Sequence, residues 1–84
     1  MTGSVGEIRS ALHAVLELLA SAGQYAGTAG VRLDEALGVL SRLGDQHSEP
    51  LPPPELRRAV EHLQVTLGLI GSGAELVGDI GARL

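Results

Sequence analysis

His13 and Glu17 stand four residues apart, the spacing that places two side chains on one face of a helix and that helical zinc sites use. Two ligands do not complete a site, and a solvated His–Glu contact on an exposed helix accounts for the pair without a metal. His62 beside Glu61, and His47 in a connector, have no convergent partners in the sequence. Arg57 and Arg58 fall at the start of a helix, where the dipole is mildly unfavourable to cations, so bridges to Glu55 and Glu61 explain them better than an anion site. The glycines lie inside helical patterns with no strand before them, which excludes a phosphate-cradling loop. No Ser, His and acid arrangement can be drawn. Cys is absent, so neither disulfides nor thiolate zinc sites are possible. The expectation is a protein with no catalytic residue, no cofactor and no metal.

The elements on which such groups would sit are helices. Val5, Ile8, Leu12, Val15, Leu19, Ala22, Ala26, Ala29, Leu33, Ala36, Leu40 and Leu43 follow at alternating steps of three and four, the spacing of one continuous seam on a slightly underwound helix. Ser4 and Glu7 have the form of a capping box at its start. Gly44 is placed to stop it in a left-handed cap. A connector rich in proline follows, and Pro54 suits the first position of a second helix. That helix carries Leu56, Val60, Leu63, Leu67, Ile70, Ala74, Val77, Gly81 and Leu84 on its own seam. The expected fold is all-α, an antiparallel two-helix hairpin in a single domain over 1–84. Helix 1 covers about 4–43, the loop 44–53 and helix 2 about 54–83.

Gly23, Gly27 and Gly30 interrupt helix 1 among alanines, at roughly 0.5–1 kcal/mol each relative to Ala. Gly68, Gly71 and Gly73 would lie at the same height on a folded-back helix 2. Small residue against small residue, in a tight crossing, is the expected arrangement; a break in helix 1 between Gly23 and Gly30 is the alternative.

The apolar stripe is wider than one partner helix can cover. Leu16, Leu18, Leu37 and Val39 flank the first seam, and Leu69, Leu76 and Ile80 flank the second. Helix 1 exceeds helix 2 by about ten residues, or some 15 Å, which would leave Val5, Ile8, Leu12 and Val15 bare. Those eleven side chains are the expected interaction surface. A chain of 84 residues makes a small core, which points to self-association as a homodimeric four-helix bundle with coiled-coil packing, or to docking on a helical partner.

Charge and composition narrow the partner. Six Arg and no Lys against ten acidic residues give a net charge of −4, and the single aromatic residue is Tyr25. An acidic surface without a basic run or stacking platform disfavours nucleic acid and anionic lipid. The charge-free stretches, 18–31 and 62–74, are too short and polar to span a bilayer, and the N-terminus lacks the pattern of a signal peptide. A cytoplasmic location is expected, with export independent of a signal peptide open.

A small, acidic, Ala- and Gly-rich hairpin without Cys resembles the Trp-X-Gly (ESX-type) helical-hairpin proteins of type VII secretion in GC-rich Gram-positive bacteria. It is also similar to small helical proteins of those genomes in its connector, Ser48-Glu49-Pro50 with Pro54-Glu55-Leu56. The resemblance lies in architecture: the loop has no Trp, and Ala29 rather than an acid follows Tyr25 at four residues, so no functional residue is carried across. It implies a helix-mediated interaction protein, an adaptor or targeting chaperone for a larger helical partner. An antitoxin or immunity-type regulator that blocks a partner enzyme is the second expectation.

Overall fold

The computed structural model describes residues 4–46 and 53–84, which form two helices, α1 (Val5–Gly44) and α2 (Pro54–Arg83). Met1–Gly3, His47 and the connector segment Ser48-Glu49-Pro50 lie outside the described residues. The helices pack side by side as an all-α hairpin, a rod of 68 × 17 × 14 Å. Its radius of gyration is 19.3 Å, against about 12 Å for a compact chain of this length.

Local chemistry sets the helix ends. Ser4 Oγ accepts a hydrogen bond from the Glu7 backbone N–H at 3.1 Å, satisfying one of the unpaired donors of the first turn. At the other end Gly44 is the last helical residue and the cap falls on Asp45, at φ −62° and ψ −19°. The cap is therefore right-handed, with the Asp45 N–H bonded to Ser41 O at 3.2 Å, and the expected left-handed glycine cap is not used. Pro53 precedes α2 in extended conformation (φ −66°, ψ 147°), and Pro54 supplies the pre-set first helical residue.

α1 is continuous through Gly23, Gly27 and Gly30, so no break divides it. The two helices keep one antiparallel register: Gly23 faces Ile70, Gly30 faces Leu63, and Gly81 faces Leu12, pairs whose residue numbers each add to 93. On that register residue 9 is level with Leu84 and residue 39 with Pro54. The extra length of α1 is thus shared between its two ends, and only about one turn, Val5 to Ile8 or some 6 Å, overhangs α2 at the terminal end.

The seam of α2 is the expected one: Leu56, Val60, Leu63, Leu67, Ile70, Ala74, Val77 and Gly81 are half-buried, while Leu84 at the end is exposed. The seam of α1 is turned by one residue. Leu12, Leu19, Ala26, Leu33 and Leu40 face inward as expected, but their partners are Leu16, Gly23, Gly30, Leu37 and Gly44, and the row Ile8, Val15, Ala22, Ala29, Ala36 and Leu43 is exposed. In this rotation the large residues Leu63 and Ile70 of α2 lie against Gly30 and Gly23. Glycine therefore meets a branched side chain, not another glycine: Gly68, Gly71 and Gly73 have nothing within 4 Å of where a methyl would stand.

Among the described residues none is buried. Two helices shield only the strip of each that faces the other. The hairpin has a seam but no core.

Candidate interaction surface

Assigning the inward rows of each helix to heptad positions a and d sorts the remaining side chains between two broad faces and an outer edge. On α1 the rows next to d are g (Ile8, Val15, Ala22, Ala29, Ala36, Leu43) and c (Ala11, Leu18, Tyr25, Arg32, Val39). On α2 the same rows are g (Ala59, Thr66, Gly73, Ile80) and c (Glu55, His62, Leu69, Leu76, Arg83). The two-fold relation between antiparallel neighbours is perpendicular to the plane of the pair and preserves its front and back. The g and c rows of both helices therefore lie on one face, and the e and b rows on the other.

The two faces differ in chemistry. The front collects Ile8, Val15, Leu18, Tyr25, Val39 and Leu43 from α1 with Leu69, Leu76 and Ile80 from α2, all exposed. Its charged residues, Arg32, Glu55 and Arg83, sit away from the middle of the terminal half. Thr66 on this face donates its hydroxyl hydrogen to His62 O at 2.9 Å, which satisfies the group within its own helix. The back carries Ser10, His13, Glu17, Gln24, Asp34 and Ser41 from α1, and Arg57, Glu61, Gln64 and Glu75 from α2. Val31 on the back and Val65 on the outer edge are isolated apolar residues, of the kind every surface has.

Large side chains on the front are concentrated toward the chain termini. By the register Ile80 is level with α1 position 13, Leu76 with 17 and Leu69 with 24. Ile8, Val15, Leu18 and Tyr25 lie at the same heights on α1. Together they form a patch about 26 Å long, beyond which Ala29, Ala36 and Ala59 continue the face toward the loop.

Of the side chains expected to form the surface, Ile8, Val15, Leu18, Val39, Leu69, Leu76 and Ile80 are gathered on this front. Leu12, Leu16 and Leu37 are not; they are half-buried in the seam, Leu12 against Gly81. Val5 is exposed in the overhanging turn. Tyr25 and Leu43 belong to the surface and escape a reading that treats each helix alone. The spacing of Tyr25 from Leu18 by seven residues is the signal that places it there, once α2 has fixed which row of α1 points inward.

Chemistry beyond apolar contact is sparse. His13 Nε2 lies 3.1 Å from Glu17 Oε1 on the back, with both side chains about three-quarters exposed, and among the described residues no three His, Asp or Glu converge. Arg57 and Arg58 are exposed, and the expected bridges to Glu55 and Glu61 do not form among the described residues. The depressions in the surface, around Gly38 with Val31 and Arg42 and beside Tyr25 with Arg32, are open and lined by α1 alone. α2 is long enough, and over 18 residues apolar enough at a mean hydropathy of 1.2, to pass a length-and-composition test for a membrane span. An amphipathic helix with a seam and one apolar flank gives the same average, and Glu61, Glu75 and Asp79 lie off both apolar sides. No family model, curated protein or solved structure matches the chain.

Proposed function

We propose that this chain is a non-enzymatic interaction module that works by covering its apolar front with helices of a protein surface, in the manner of an adaptor or targeting chaperone. One observation carries the reading: nine large apolar side chains from two helices are collected on a single face of a hairpin that buries no residue among those described. Contiguous exposed apolar surface of this kind marks a protein-binding site, and helices laid along it would extend the pair into a bundle. The resemblance to ESX-type hairpins is one of architecture and adds no residue to the argument.

The test compares two substitutions of equal chemistry. Leu69→Asp on the front and Val65→Asp on the outer edge both replace a side chain that is about two-thirds exposed in the hairpin, 68% and 62%. In native extracts of the source cells, Leu69→Asp is expected to shift the protein to the elution position of the free hairpin, and Val65→Asp to leave its assembly unchanged. Equal behaviour of the two variants removes the reading.

A further inference from the structure

We infer that the occupant of the apolar front is a second copy of this chain, laid face to face with the same ends together, so that α1 of each copy covers α2 of the other. This rests on the reading of the front as a docking surface and adds the identity and orientation of the occupant.

Area is the first argument. The chain exposes 6302 Å², whereas a compact monomer of 8.6 kDa exposes about 4,700 Å². The excess is roughly 1,600 Å² per chain, or about 3,200 Å² for two, which falls in the range that obligate homodimers bury. A second hairpin laid along the whole 68 Å face has the length to remove that much.

Charge is the second. Two copies of a chain with net charge −4 repel unless their acidic groups are kept apart. Between positions 8 and 31 the g and c rows of α1 carry no ionisable group except the Tyr25 phenol, and the same rows of α2 carry none between 66 and 80. Face-to-face pairing turns Glu17, Asp34, Glu61 and Glu75 outward on opposite sides of the assembly, and an isologous contact needs only one self-complementary patch.

The distribution of large side chains sets the orientation. With a two-fold axis parallel to the helices, heights are preserved: Leu18 of one copy meets Leu76 of the second, Tyr25 meets Leu69, and Val15 lies near Ile80. Reversing the second copy over the full length would instead keep only Tyr25, Leu69 and Ile8 in apolar contact and would lay Val15 and Leu18 on Arg32 and Ala36, and Leu76 and Ile80 on Ala59 and His62. Overlapping the terminal halves alone in a reversed sense would leave the loop half bare and recover too little area.

The experiment is light scattering after gel filtration from micromolar to submillimolar concentration, with inter-label distances from a spin label at Ser41→Cys on the back, a clean site because the chain has no Cys. The expected results are a mass of two 8.6 kDa chains and labels within about 35 Å, the reach across two stacked layers of 14 Å. Leu18→Asp is expected to weaken the dimer by on the order of 100-fold, since it places a carboxylate opposite Leu76; Val65→Asp is the control. A label distance beyond about 45 Å overturns the orientation. A folded monomer throughout, or a dimer indifferent to Leu18→Asp, overturns the second copy as occupant. A monomer that instead binds neutral phosphatidylcholine vesicles through the front overturns both this inference and the protein-binding reading, whereas a monomer that ignores vesicles and binds a hydrophobic dye lost in Leu18→Asp overturns the inference alone.

Discussion

A methyl group on Gly30 would stand 3.5 Å from Leu63 Cδ2, and one on Gly23 would stand 3.7 Å from Ile70 Cγ2. Both distances are ordinary van der Waals contact, so the glycines make room for branched side chains without being filled to the limit. Gly23→Ala is expected to raise stability by about 0.5–1 kcal/mol through helix propensity, a gain of several degrees in melting temperature followed by circular dichroism. Gly30→Leu is expected to lower it by about 1–3 kcal/mol, because the larger side chain must displace Leu63. Equal effects of the two changes would mean that α2 does not sit against this row.

The one-residue rotation of the α1 seam separates Leu16 from Val15. Leu16→Asp puts a charge between the helices and is expected to cost about 2–4 kcal/mol, seen as loss of helical signal. Val15→Asp lies on the front and is expected to keep the helical signal while weakening association. The opposite pattern would restore the seam read from α1 alone.

That rotation shows where the sequence is readable and where it is not. In α2 the row of Leu56, Leu63, Ile70 and Val77 is the bulkiest by a wide margin, so local periodicity finds the seam unaided. In α1 the row Ile8, Val15, Ala22, Ala29, Ala36 and Leu43 is more apolar than Leu16, Gly23, Gly30, Leu37 and Gly44, yet the second row faces α2. The choice depends on residues of the other helix, Leu63 and Ile70 among them, which no pattern within α1 contains. The same long-range information explains why Leu12, Leu16 and Leu37 look like surface candidates from spacing and turn out to be seam, and why Tyr25 joins the front. Helix positions, by contrast, follow from local chemistry at Ser4 and Pro54.

The N-terminal cap gives a separate check on the overhanging turn. Ser4→Ala removes the acceptor of the Glu7 N–H and is expected to cost about 1 kcal/mol. Because the first turn extends past α2, the loss should show as faster amide exchange confined to residues near Glu7 and Ile8. Exchange that rises along the whole of α1 would show the cap to be coupled to the hairpin seam.

His13 and Glu17 form an exposed pair on the back, where solvent screens the interaction. Glu17→Gln is expected to change the melting temperature by no more than the error of the measurement and to leave association intact. A large effect on association would move the docking surface to the back of the hairpin.

Hydroxyl-radical footprinting of the wild-type protein in its assembled state is the most direct measurement, because it reads side-chain exposure without a substitution. In the hairpin alone Leu18 and Val31 are similarly exposed, at 69% and 59%, as are Leu69 and Val65. If the front is the docking surface, Leu18, Leu69, Leu76 and Ile80 will be protected while Val31 and Val65 react freely. Equal reactivity of front and back residues at native concentration would contradict a covered apolar face.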